Sequence, residues 1–323
     1  MKKFVFSLVF LIGCCVVALY PRLVRLKLNT NSTQTSMASP LPDILKNGFP
    51  SVLGAEDEYW KPSLTLMDKG IKKPNLTAES ALAYDVTTNS LLYEKNIRQR
   101  MPIASLTKIM TATIALESMQ LEDKLTVSKD AATIGEDTMG LSEGEKLKLD
   151  DLLYGLVLTS GNDAAETIAQ NSKVGRSNFL YLMNKKAEDL GLADTHFTNP
   201  TGLEGDGNQY STAYDLLVMT RYALLDPDFT RVVGTVEHEI PADSDHKYYA
   251  LFNETNLLTS YPGVKGVKTG YTPEAGLCLV TFLDFRGHKI IAILLNAENR
   301  RQEMKDLLDY SLKTLGMVPP PHQ

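Results

Sequence analysis

The sequence predicts a mixed fold of the α/β (α+β) class, with a sheet built from both ends of the folded region and a helical insertion between. Two pairs of apolar segments read as β-hairpins, one early and one late, and the residues between them show apolar positions at helical spacing. In order, Ala81 to Val86 and Ser90 to Glu94 flank the turn-like Thr87-Thr88-Asn89. Helical spacing then runs through Ser105 to Met119, Asp150 to Thr159, Asp163 to Gln170 and Asn178 to Leu190, with Gly191 placed to stop the last. Thr212 and Asp215 form a box-like start for a helix through Leu225. The second hairpin joins Leu277–Phe285 to Lys289–Asn296 through Arg286-Gly287-His288, and Gln302 to Leu312 reads as a closing helix.

The chain of 323 residues, 43% hydrophobic, is long enough for one large domain with appendages. Its net charge of −6 comes without a long basic run, which speaks against a nucleic-acid partner. At the N-terminus, Lys2 and Lys3 precede an uncharged apolar run from Phe4 to Tyr20, followed by Pro21, Arg22, Arg25 and Lys27. Residues 1–27 are therefore expected to direct export as a signal anchor with a basic flank, retained in preference to being removed as a cleaved signal. A lipoprotein-like Leu11-Ile12-Gly13-Cys14 is opposed by the apolar residues that follow it. Residues 28–62, rich in Asn, Thr, Ser and Gln with scattered prolines, read as a tether to a domain at 63–316, with 317–323 as a tail. The expected location is outside the cytoplasm, on the membrane or secreted.

Cysteine and histidine usage adds two exclusions. Cys278 is the one cysteine outside the N-terminal apolar run, so no disulfide framework is expected, and its place in an apolar segment suits a buried small side chain better than a catalytic thiol. The five histidines form no metal set. His238 and His246, among several acids, are expected in a solvated loop, with Tyr248 and Tyr249 as hairpin residues. No metal and no cofactor are expected.

The chemistry sits in three short motifs. A serine three residues before a lysine arises about once by chance in a chain this long, and Ser244-Asp245-His246-Lys247 is such a decoy. Ser105 differs in context. It follows Pro102 and opens a helical stretch, so Lys108 falls on the same face one turn later. A hydroxyl at a helix start also faces free backbone N–H groups, which can hold a developing oxyanion. Ser160-Gly161-Asn162 then interrupts an apolar helical region, and Lys268-Thr269-Gly270 precedes the second hairpin. Each motif has a structural reading of its own: a cap, a helix-to-helix turn, a strand end. Together, and in this order, they form the set used by β-lactamases and penicillin-binding proteins.

Here the sequence resembles the serine D-alanyl-D-alanine carboxypeptidases (peptidase S11), the low-molecular-weight penicillin-binding proteins. The resemblance extends to "ASLTKIMTA", "LTSGNDAAETIA", "HFTNPTGLEGDGNQYSTAYDLLVMTRYAL" and "GVKGVKTGYTPEAGLCLV", roughly Ser80 to Gly316. It implies a β-lactamase/transpeptidase-like fold, an antiparallel sheet flanked by helices with a helical subdomain. It implies Ser105 as nucleophile and Lys108 as its base, with Lys268 as the second cation that lowers the lysine's proton affinity. Ser160 and Asn162 would hold substrate and relay a proton. Lys268, Thr269 and Gly270 would line a sheet edge that binds the peptide and its carboxylate, and Tyr271 with Ser105 would supply oxyanion N–H groups. Arg300 is either a carboxylate-binding arginine or a surface helix-start residue.

The implied substrate is a peptidoglycan stem peptide ending in D-Ala-D-Ala, with β-lactams as inhibitors. Many family members carry a further β-rich domain and a C-terminal membrane helix, and the N-terminal segment here is expected to replace that anchor. Asn296 stands where the family commonly has glycine, and the sequence offers no account of it. Two alternatives remain open at this stage. One is a β-lactamase, for which Glu204 and Asn208 formally match a glutamate-x-x-x-asparagine motif. The other is a catalytically silent wall-binding protein.

Overall fold

The computed structural model describes residues 60–255 and 257–322. The expected signal anchor and nearly all of the expected tether lie outside these residues. Among the described residues no helix is long and apolar enough to cross a membrane.

The first hairpin is β1 (Ser80–Asp85) and β2 (Ser90–Lys95). The Asp85 carboxylate fixes its turn by accepting from Thr87 N at 3.1 Å and Thr88 Oγ1 at 2.7 Å. Asn89 takes the left-handed conformation that asparagine tolerates. The helical region follows: α1 (Lys108–Ser118), the single-turn α2 (Lys129–Ala132), α3 (Leu149–Leu158), α4 (Asn162–Asn171), α5 (Arg176–Asp189), α6 (Ala213–Ala223), α7 (Pro227–Val233) and the single-turn α8 (Leu257–Ser260). The chain then returns to the sheet through β7 (Val264–Thr272), β8 (Gly276–Phe285) and β9 (His288–Ala297), and closes with α9 (Arg300–Thr314). Thr212 caps α6 by accepting from Asp215 N at 3.0 Å. The reciprocal half of that box is missing, because Asp215 turns to Asp194 N and Thr195 Oγ1 instead.

The five strands order as β2-β1-β9-β8-β7, antiparallel throughout. Strand β9 lies in the middle, which explains its composition: Ile290, Ile291, Ile293, Leu294 and Leu295 are all fully buried, because α9 covers one face and α6 the other. Each such side chain contributes about 1.5–3 kcal/mol of transfer free energy. The β8–β9 turn is Arg286-Gly287, both at positive φ, as a two-residue hairpin of this hand requires.

Three features differ from the sequence reading. The segment before the second hairpin is a full nine-residue edge strand, β7, rather than a strand end. The helical insertion also holds two small ribbons, β3 (Lys124–Thr126) with β4 (Lys146–Lys148), and β5 (Glu237–Ile240) with β6 (Tyr249–Phe252). His238 is accordingly on a strand, stacked on Tyr154 at 3.7 Å between ring centres, and not in a solvated loop. These strands have three or four residues, too short for alternation to rise above noise.

Asn296 gains an explanation. It sits at φ 52° beside an irregularity in the β8–β9 register. Glycine and asparagine are the residues that enter this region most readily, and its side chain also donates to Glu79 Oε2 at 3.1 Å.

Candidate active site

Ser105 lies in a 3₁₀ turn, Ala104–Thr107, that leads into α1 at Lys108. In a 3₁₀ turn residues i and i+3 eclipse one another, so Lys108 comes over Ser105 more closely than in an α-helix. Ala104 enters the turn at φ 47°, and Thr107 Oγ1 closes it by donating to Ala104 O at 2.9 Å. The expected helix start is thus one turn later than the apolar spacing indicates.

The Lys108 amine is 1% exposed as a residue and donates three ways. It reaches Ser105 Oγ at 2.9 Å, Asn162 Oδ1 at 2.7 Å and the Thr201 carbonyl at 2.7 Å. Its proton affinity is driven well below that of an ordinary lysine, first by burial and then by the charge of Lys268, while Asp137, Glu254 and Asp163 act in the opposite sense.

Each partner of Lys108 is held by its own scaffold. Asn162 starts α4 directly after the Ser160-Gly161 turn, in which Ser160 is buried at φ 58°. Its Nδ2 donates to Gly135 O at 3.1 Å and its backbone N–H to Asp137 O at 2.8 Å. The next residue, Asp163, is buried and accepts from Met139 N, Gly140 N and Leu141 N at 2.9–3.0 Å, so it clamps the same loop. Thr201 is placed by Asn199, whose side-chain oxygen accepts from Thr201 N at 3.1 Å and Gly202 N at 2.8 Å. The sequence reading quoted this Asn-Pro-Thr-Gly stretch without giving it a role. Its signal was the asparagine, a residue that caps tight turns with its side chain.

Strand β7 forms the opposite wall. A Cβ on Gly270 would lie 3.0 Å from Ile103 O and 3.3 Å from Ser105 N, so glycine lets the edge strand come against the serine turn. Lys268 is 2% exposed, donates to Thr269 O at 3.0 Å and is pushed down to about 8, chiefly by burial. Arg300, at the start of α9, donates to Gly270 O at 2.8 Å and Cys278 O at 3.4 Å, so it braces the strand that carries the motif. Among the described residues neither cation has a carboxylate at ion-pair distance. Thr269 Oγ1 donates to Glu254 Oε2 at 3.2 Å, a contact the sequence reading did not anticipate. Tyr271 is exposed, 56%, on the same strand.

The remaining candidates fall elsewhere. Cys278 is buried, and burial pushes its thiol up to about 11. Glu204 accepts from Glu274 N at 3.0 Å, in the loop on the far side of the serine turn. The decoy Ser244 is exposed in the β5–β6 connection. Among the described residues no group of three or more His, Cys, Asp or Glu is placed to hold a metal. The motifs at 105–108, 160–162 and 268–270 thus meet in one cleft between the sheet edge and the helical region.

Residues 67–299 match the D-alanyl-D-alanine carboxypeptidase family, Peptidase S11. The chain belongs to this family. It is 36% identical over 242 residues to the D-alanyl-D-alanine carboxypeptidase DacF of Bacillus subtilis, a match that covers 72% of this chain and 62% of that one. It is 31% identical over 260 residues to the carboxypeptidase DacD of Escherichia coli, covering 76% and 66%. The chain therefore spans less than two thirds of the length of these two carboxypeptidases. The crystal structure of the Streptomyces K15 DD-transpeptidase superposes with a TM-score of 0.71 at 31% identity, covering 75% of this chain and all of that one. The antiparallel sheet with its flanking helices is the fold of that transpeptidase.

Proposed function

We propose that this member of the carboxypeptidase family is a serine-type D-Ala-D-Ala carboxypeptidase that removes the terminal D-alanine from peptidoglycan stem peptides. The observation that carries the reading is the buried Lys108 amine in hydrogen-bond contact with both Ser105 Oγ and Asn162 Oδ1. Burial favours the neutral amine, which is the form that can accept the serine proton. Ser105 Oγ then attacks the carbonyl carbon of the penultimate D-alanine. The oxyanion would be held by the N–H groups of Ser105 and Tyr271. Lys268 and Arg300 supply charge and donors for the C-terminal carboxylate.

As the C–N bond breaks, the proton held by Lys108 passes through Ser160 to the leaving nitrogen, and D-alanine departs. Water, deprotonated by the same base, hydrolyses the ester and regenerates Ser105. β-Lactams, which mimic the dipeptide, acylate Ser105 and leave slowly. Residues 1–27 would hold the enzyme at the outer face of the cytoplasmic membrane, which fractionation of full-length and truncated chains would test.

The decisive experiment follows a labelled penicillin on the full chain by intact mass, with release of D-alanine from a diacetyl-L-Lys-D-Ala-D-Ala peptide measured in parallel. A long-lived adduct lost in Ser105→Ala, with D-alanine released, is expected. Rapid turnover of the adduct would make the protein a β-lactamase. The absence of both adduct and release would make it a silent wall-binding protein.

A further inference from the structure

The cleft contains a carboxylate that the proposed reaction does not use. Glu254 lies in the connection between β6 and α8, with its side chain exposed. Its backbone N–H donates to the Leu158 carbonyl at 3.1 Å, which ties it to the end of α3, two residues before Ser160. Its Oε2 accepts from Thr269 Oγ1 at 3.2 Å. Glu254 therefore bridges the two features that bound the leaving-group end of the cleft, the Ser160 turn and the 268–270 strand.

This contact competes with the use of Thr269 as a donor. A threonine hydroxyl has one hydrogen. While Glu254 accepts it, a substrate carboxylate cannot, and a carboxylate bound there also approaches a like charge. An ammonium group on the departing residue would instead find an acceptor at this point. A departing residue that carries both groups has a partner for each, its α-carboxylate taken by Lys268 and Arg300 and its side-chain cation by Glu254. Asp137, exposed in the loop that holds Asn162, places a second carboxylate by the cleft. Both acids favour the charged forms of Lys108, Lys268 and Arg300, which puts them electrostatically within the same site.

We propose that Glu254 is a specificity-determining residue at the leaving-group end of the D-Ala-D-Ala site, and that its carboxylate raises release of a D-residue with a cationic side chain relative to release of D-alanine. The proposal rests on the carboxypeptidase reading above. It is tested by kcat/KM of the full chain for two synthetic peptides, diacetyl-L-Lys-D-Ala-D-Ala and diacetyl-L-Lys-D-Ala-D-Lys, in wild type, Glu254→Gln and Glu254→Lys. Since Glu254 is exposed, both variants keep the fold, and their rate of labelling by penicillin reports whether Ser105 remains competent.

The expected ratio of D-lysine to D-alanine release falls about 3–5-fold in Glu254→Gln, the scale of an exposed ion pair, and further in Glu254→Lys. A merely structural role would lower both peptides alike. An unchanged ratio in both variants overturns the assignment of Glu254 and leaves the carboxypeptidase reading standing. Failure of the wild type to release either amino acid overturns both.

Discussion

Gly202 and Ala104 meet backbone to backbone: a Cβ at Gly202 would lie 2.1 Å from the Ala104 carbonyl oxygen. Gly202 is also at φ +92°. The loop that supplies Thr201 O to Lys108 is thereby pressed against the residue that precedes Ser105, and a side chain at 202 would push the two apart. Gly202→Ala should cost about 2–6 kcal/mol from overpacking and backbone strain together and should slow penicillin labelling. Gly205, at φ +105° with open space around it, separates the two causes. Gly205→Ala carries strain without a clash, so thermal melts should show a smaller loss and labelling should stay near normal.

Lys108 and Asn162 should fail together. Removal of the amine in Lys108→Ala takes away the proposed base, and labelling by penicillin should fall by roughly 10²–10⁴-fold, the usual worth of a positioned base. Asn162→Ala leaves the amine without one of its three acceptors and should cost acylation less than loss of the amine itself. Stopped-flow acylation rates would check both. Near-normal rates in Lys108→Ala would point to a different base.

The pH profile should carry the signature of Lys268, which is pushed down to about 8. In the proposed reaction its charged form binds the substrate carboxylate, so KM should rise as the pH climbs through about 8 and the ammonium is lost. As the proposed base Lys108 acts in its neutral form, so the acid limb of kcat/KM is expected to belong to it, well below the ordinary lysine range. For stability the sign is reversed. A lysine whose folded value is lowered binds more protons when unfolded, so its burial costs about 3 kcal/mol at neutral pH, and the cost fades as pH rises from about 8 toward the ordinary lysine value. Lys268→Met should therefore abolish turnover while raising the melting temperature at pH 7. A lowered melting temperature would show that the amine holds the strand rather than straining it.

Asp163 offers a test of second-hand positioning. Its carboxylate accepts from Met139 N, Gly140 N, Leu141 N and Ala164 N. An amide has one acceptor oxygen and presents N–H groups to donors. Asp163→Asn should thus cost about 1–3 kcal/mol, and the loosened 135–141 loop should release Asn162. Acylation is expected to slow roughly tenfold. An unchanged rate with a lowered melting temperature would show that Asn162 keeps its place without the clamp.

Much of this was legible in the chain itself. The apolar runs of β8 and β9 marked their strands, and the helix ends at Gly191 and Thr212 followed from capping chemistry that acts within a few residues. The three motifs were readable because their spacing is covalent: Lys108 follows Ser105 by three residues in any fold. The small ribbons around His238 and Lys146 were not readable, since their pairing energy comes from neighbours far along the chain.

What the sequence by itself determined is the inventory and its order: a serine, a nearby amine, an amide, a second cation and a glycine that admits a strand. What only the tertiary structure decided is how those groups behave. Burial, a sum over contacts from the whole chain, drove the proton affinity of Lys108 well below that of an ordinary lysine. Long-range packing brought residues 105, 162 and 201 around that amine and set Glu254 against Thr269. Asn296 shows the same division, because a single letter that looked out of place became a left-handed residue in a shifted register once β8 and β9 were paired. Local spacing survives in the one-dimensional string, whereas a charge's solvation does not, since it depends on which distant residues replace the water.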